Sequence, residues 1–416
     1  MIAIAFKVVV AVATALLGGC ALRTRAVQNL PEGHFLCAVL ALQLVPALGL
    51  FVALYVVGHQ DVTSDVPTFY LPNGRAVLAG RVPYRDFPLS YAPLFPYVGA
   101  ALLSLWNSTK VFALFAILLN AVALVLWHAA AVASFDRQTA RISSVLYASS
   151  GHVLVQALLG TNQVWIAAAL AASTLLLVRG RSIASGFVQA LALCTVKVLS
   201  LLFWPVLWIM APHRGRWLGG ALLFSAIVYG AFAAGGADLL IPLRRESNLI
   251  SSGNLPYVLE SLSGPLGSFS PRVFDSIALL VLGGAVLWLY LHAAHLPASS
   301  RAQMLMPALA LFGLLFMLVS KKSFTGYAAF FMYPALLVLA LETNARRRFG
   351  FFLVFNVLLA AEPSLWFNLG DGRRLGVWLR ESRGTMTYSF VLVDLALLSC
   401  YAYLAVLSVR RLLRAT

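Results

Sequence analysis

Long uncharged apolar runs recur along the whole chain, and they constrain its fold more than any motif does. A membrane-crossing helix needs about 20 mostly apolar residues, because inside a bilayer every backbone N–H and C=O must be paired within the segment. Read from run to punctuation, the candidate spans are 2–22, 35–57, 111–134, 142–159, 163–178, 183–196, 198–211, 217–235, 274–292, 304–319, 324–341, 349–361 and 386–407. Several are short and would have to stop inside the protein or lean on neighbours. The reading is an all-α polytopic membrane protein, one domain over residues 1–416, with about 13 transmembrane helices. Composition agrees, with 61% hydrophobic and 11% charged residues, against roughly half and a quarter in soluble domains. A soluble enzyme, a disordered chain and a zinc ribbon are excluded. The four cysteines (Cys20, Cys37, Cys194 and Cys400) fall in apolar runs with no CxxC spacing, which reads as core thiols rather than disulfides or metal ligands.

Thirty Lys and Arg against 14 Asp and Glu leave a net charge of +16. In a soluble chain that excess would point to nucleic acid. Here it points instead to cytoplasmic loops beside anionic lipid, with no nucleic-acid partner. Basic clusters fall at Arg23/Arg25, Arg137/Arg141, Arg179/Arg181, Arg214/Arg216, Arg346 to Arg348 and Arg410/Arg411/Arg414. All can be cytoplasmic only if 92–106, which begins around Pro93 and Pro96, does not cross. We read that segment as a juxtamembrane or re-entrant helix. The C-terminus is then cytoplasmic, and the polar stretches 58–110, 236–273 and 362–385 face outward. Residues 1–34 form an extra N-terminal helix and its cytoplasmic loop. Leu17-Gly18-Gly19-Cys20 resembles a lipoprotein cleavage box, but Lys7 lies within the apolar run rather than ahead of it. An ordinary first helix is expected. Lys321 and Lys322 face outward against the positive-inside tendency, so another force is expected to hold them.

The stretch 58–110 is the most polar part of the chain. Asp61 and Asp65 follow directly on the span 35–57, and Phe69, Tyr70, Tyr84, Phe87 and Tyr91 are interleaved with Arg75, Arg81 and Arg85. A carboxylate can take a proton from a hydroxyl, aromatics can stack on a sugar, and guanidinium groups can hold a phosphate. The same residue types also suit an ordinary interfacial loop, where Tyr and Arg sit at headgroup depth. Lys197, between Val196 and Val198, is either a functional cation at membrane depth or a lysine snorkelling from a helix end. Gln163 is a candidate hydrogen-bonding partner for a sugar or an interhelical contact, and Asp394 reads as a helix-packing polar residue.

The run Asp65-Val-Pro…Tyr70…Leu78-Ala-Gly80-Arg81-Val-Pro83-Tyr84-Arg85-Asp86-Phe87…Tyr91-Ala92-Pro93-Leu94 resembles the first extracytoplasmic loop of GT-C glycosyltransferases. It is most similar to the mannosyltransferase-like group that uses polyprenyl-phosphate sugars, which includes phosphatidylinositol-mannoside mannosyltransferases. Gly160-Thr-Asn162-Gln163 with Lys197, and Ser320-Lys321-Lys322-Ser-Phe-Thr-Gly-Tyr327, are similar to later parts of the same family. Two positions depart from the pattern: Ser90 stands where an acid is common, and Ala92 replaces a proline.

The resemblance implies a GT-C-like helical bundle with juxtamembrane helices in the first outer loop. It implies Asp65 as the catalytic base, with Asp61 in reserve. Arg81, Arg85, Lys197, Lys321 and Lys322 would hold the donor's phosphate and sugar, and Tyr70, Tyr84, Asp86, Tyr91, Gln163 and Tyr327 would line the substrate. The implied partners are a polyprenyl-phosphate sugar donor, a lipid or glycan acceptor and the membrane. The implied reaction is inverting, at the extracytoplasmic face of a cell membrane. No metal ligand set and no cofactor is assigned, and a divalent metal stays open. A transporter or flippase for a lipid-linked or amphipathic solute is the alternative.

Overall fold

The computed structural model describes residues 2–24, 27, 29–246, 251–262, 271–293, 295–369 and 385–414. Among these the chain forms helices joined by loops, with no strand and one isolated bridge between Pro83 and Phe87. Seven helices are long and apolar enough to cross a membrane: Ile4–Arg23, Glu32–Val57, Lys110–Ser134, Arg214–Ala234, Arg272–Ala293, Ala298–Val319 and Phe390–Arg414. An eighth is reached if Gly151–Leu158 and Gln163–Val178, bent by 117°, form one broken span. Apart from 349–361, the other expected spans appear as shorter helices. The run 183–211 breaks into Ser182–Thr195, a 3-10 turn Val198–Phe203 and Trp204–Met210. The run 324–341 becomes a 3-10 turn Thr325–Phe330 followed by Met332–Ala340. Phe95–Leu105 is the short helix expected within 92–106.

Pro205 and Pro334, expected inside spans, stand in the first turns of Trp204–Met210 and Met332–Ala340. Proline's missing N–H costs nothing there, so these residues start helices rather than kink them. The helix Ala345–Leu369 runs beyond 361, which puts Glu362 inside it, fully buried, rather than in an outer polar stretch. Residues 370–384 of that stretch lie outside the described residues.

The chain packs as two compact units. One comprises Leu30–Arg137 and Gln156–Ser247, the other Met1–Asn29, Gln138–Val155 and Asn248–Thr416. In lipid, helices associate through close van der Waals packing rather than a hydrophobic drive, so small residues mark the contacts. In the first unit, Ser182–Thr195 crosses Arg214–Ala234 at glycine. A Cβ on Gly186 would lie 2.0 Å from the Trp217 carbonyl oxygen, and one on Gly220 would lie 2.3 Å from that of Ile183. Gln163–Val178 packs on both Lys110–Ser134 and Ser182–Thr195. In the second unit, Ile2–Arg23 packs on Ala345–Leu369. The Gly18-Gly19 pair finds its use in that unit: Cβ atoms there would meet Ser149 Oγ at 2.2 Å and the Phe349 ring at 2.6 Å. All four thiols are free. Cys194 and Cys400 are buried as expected, while Cys20 and Cys37 face outward on apolar helices.

Candidate functional site

The first polar loop is held by two helix breaks. The bend between Gly151–Leu158 and Gln163–Val178 turns on Gly160, whose φ of +64° is the left-handed region that favours glycine. Breaking a helix orphans carbonyls, and the loop supplies their donors. Tyr55 Oη donates to the Leu158 carbonyl at 2.9 Å and Ser64 Oγ donates to that of Leu159 at 2.7 Å. The second break lies at Val196–Lys197, where the backbone turns extended. Here the Ala92 N–H donates to the Val196 carbonyl at 3.1 Å and the Leu94 N–H donates to that of Cys194 at 2.9 Å. Pro93, which has no donor, falls between them.

This docking brings Tyr91 over Lys197, whose Nζ lies 4.8 Å from the ring centroid. The Tyr91 hydroxyl donates to Asp65 Oδ2 at 2.8 Å. One tyrosine therefore links the sequence-expected base to the sequence-expected membrane-depth cation. Its ring stacks on Phe95 at 4.6 Å and meets Tyr70 edge-on at 5.3 Å, and Tyr84 Oη donates to its carbonyl. Tyr84 itself is buried, at a φ of +64°. Burial, with Tyr229 nearby, raises the pKa of its phenol, so it serves as a neutral donor. Tyr70 is fully buried, and its hydroxyl accepts the Asn162 N–H at 3.1 Å. Beside it, the side-chain polar atoms of Asn162, Gln163 Oε1 and Trp165 Nε1 are buried without a hydrogen bond. Asp65 is half-buried, whereas Asp61 is exposed with Thr109 Oγ1 at 3.4 Å.

The remaining first-loop charges are engaged in their own turn. Arg85 grips Asp86 through Nε at 2.9 Å and Nη2 at 3.1 Å, Asp86 Oδ2 accepts the Val82 N–H at 2.7 Å, and Arg81 donates to the Asp86 carbonyl at 2.6 Å. The Arg85 hydrogen bonds, then the Val82 amide, bring the Asp86 pKa down to about 2. Among the described residues no contact joins Arg81, Arg85 or Asp86 to Asp65. Lys321, Lys322 and Tyr327 belong to the other unit. Lys321 is buried there and pairs with Asp275 Oδ2 at 2.6 Å, which accounts for a lysine standing against the topology tendency. Tyr327 stacks on Phe330 at 5.1 Å.

Sequence reasoning read Asp275 as part of a span and Glu362 as outer-loop, and it passed over Lys110, whose Nζ donates to the Tyr55 carbonyl at 2.6 Å. Glu362 accepts a hydrogen bond from Thr325 Oγ1. It lies close to Asp394, which is also fully buried and has no hydrogen bond of ordinary geometry on either carboxylate oxygen. Of these two acids only Asp394 stood inside an apolar run in the sequence, while Glu362 falls one residue beyond the run 349–361. Among the described residues no group of three His, Cys, Asp or Glu could hold a metal ion. Compared with known proteins, the chain matches no family model and no curated protein.

Proposed function

We propose that this protein is an integral-membrane glycosyltransferase of GT-C-like architecture, which moves a sugar from a polyprenyl phosphate to a lipid or glycan hydroxyl at the extracytoplasmic face. The observation that carries the reading is the Asp65–Tyr91–Lys197 arrangement, a carboxylate and an ammonium held on opposite parts of one tyrosine. In the proposed reaction, Asp65 takes the proton of the acceptor hydroxyl. The acceptor oxygen bonds to the anomeric carbon as the bond from that carbon to the phosphate oxygen breaks, inverting the centre. The polyprenyl phosphate leaves with the electron pair. A phosphate is a stabilised leaving group, so no second carboxyl is needed to protonate it, in contrast to glycoside hydrolysis. Lys197 offers its charge to the departing phosphate. The buried, unpaired polar atoms of Asn162, Gln163 and Trp165 are groups a hydroxyl-rich ligand would pair.

Purified protein incubated with radiolabelled polyprenyl-phosphate sugars and membrane acceptors tests this directly. Asp65→Asn should abolish transfer without loss of expression. Near-normal turnover in that variant, and in Asp61→Asn, would refute the assignment. A transporter is the second reading, favoured by the 117° broken helix pair and by the buried acids Glu362 and Asp394. Solute flux in proteoliposomes that survives Asp65→Asn would support it.

A further inference from the structure

The helices Ser182–Thr195 and Arg214–Ala234 run in the same direction. The His213 N–H donates to Ser182 Oγ at 3.3 Å near their starts, and Tyr229 Oη donates to the Leu193 carbonyl at 3.1 Å near the end of the first. Because they cross tightly at Gly186 and Gly220, their side chains splay apart and leave a groove. A cavity of about 650 Å³ lies there, walled by Ile183, Phe187, Leu223, Phe224 and Ile227. That volume is in the range of small-ligand sites, roughly 300–1,000 Å³. At the end where both helices begin, the lining changes character to Arg181, His213 and Arg216, with no acidic residue in the lining. All three are exposed, and among the described residues their side chains make no ion pair or hydrogen bond.

The groove thus has an apolar trough that begins at the charged end of a membrane-length helix and a cationic mouth. A solute with a hydrocarbon tail and an anionic head matches both parts. We infer that the groove is a binding site for an anionic phospholipid of the bilayer, with acyl chain along Phe187, Phe224 and Ile227 and headgroup phosphate at Arg181 and Arg216. Guanidinium groups pair with phosphate oxygens bidentately, and the two helix starts add favourable partial charge. The site is separate from the Asp65–Tyr91–Lys197 arrangement and does not depend on the glycosyl-transfer reading.

The test is to reconstitute the full chain in nanodiscs of mixed phosphatidylglycerol and phosphatidylcholine, extract it with detergent, and quantify the retained lipid by mass spectrometry. Wild type should retain phosphatidylglycerol preferentially. Arg181→Ala with Arg216→Ala should weaken that preference by about 30-fold, from the usual worth of two arginines near an anionic headgroup. Both side chains are exposed and uncontacted, so the variant should stay monodisperse. Removing the exposed pair Arg346 and Arg410 takes away the same charge elsewhere and should leave the preference intact. An equal loss in that control, no enrichment in wild type, or displacement of phosphatidylglycerol by polyprenyl phosphate at equal mole fraction would each overturn the proposal.

Discussion

Tyr91→Phe separates the two tasks given to one side chain. It deletes the hydroxyl 2.8 Å from Asp65 Oδ2 and keeps the ring that stacks on Phe95 at 4.6 Å and lies 4.8 Å from Lys197 Nζ. A hydrogen bond to a charged group contributes about 1.5–3 kcal/mol. If that bond orients the base in the transition state, kcat should fall about 10- to 150-fold, with KM for the donor little changed. Tyr91→Leu removes the aromatic face as well. A cation over a ring is worth about 0.5–2 kcal/mol, so a further loss of about 2- to 30-fold should follow. That second loss should vanish in the background of Lys197→Met, because the cation is already gone. Steady-state transfer assays on wild type, on both Tyr91 variants and on each combined with Lys197→Met, with melting temperatures in the same detergent, read this out. A Tyr91→Phe enzyme within about twofold of wild-type kcat but with a lowered melting temperature would show that Tyr91 only packs, and would refute the positioning argument.

Other consequences concern stability and pH. Gly186→Ala should cost about 1–3 kcal/mol by overpacking, because its Cβ would collide with the Trp217 carbonyl; thermal unfolding would show it, while Gly219→Ala, in open space, should cost far less. Asp394→Leu should leave the melting temperature unchanged or raised, since it replaces a buried acid with no hydrogen bond by an apolar side chain. The depressed pKa of Asp86 means its contribution to the 81–87 turn is complete above the unfolded carboxylate range and fades as pH falls through about 2. Hydrogen exchange should therefore find the Val82 amide protected down to about pH 3, and Asp86→Ala, which removes the acceptor, should expose it at every pH.

What the sequence makes legible here is local. Asp65 stood out because a polar loop follows a long apolar run, and Lys197 because a lone ammonium in apolar surroundings is expensive. Neither signal carries the fact that Tyr91 joins them, since that contact depends on where a distant helix breaks. Lys321 shows the opposite case. Its position against the charge tendency was visible, but its cause, Asp275, is 46 residues away and hidden inside an apolar run. The glycines at 186 and 220 look like any helix glycine until the neighbouring backbone is placed beside them. Span counting fell short for a related reason. The apolar runs end at 159 and 196 in the sequence, but the pieces beside those breaks are too short to cross alone, and the carbonyls they expose are paired by donors from elsewhere in the chain.

The docking of Ala92 and Leu94 onto Val196 and Cys194 is made entirely by main-chain groups. Attachments of that kind need no side-chain functional group, although the burial of Ala92 limits the size of what can stand there. Proline is barred from both positions, because it has no N–H to give the Val196 or Cys194 carbonyl. A chain with proline at 92 would have to pair the Val196 carbonyl, at the helix end before Lys197, in some other way.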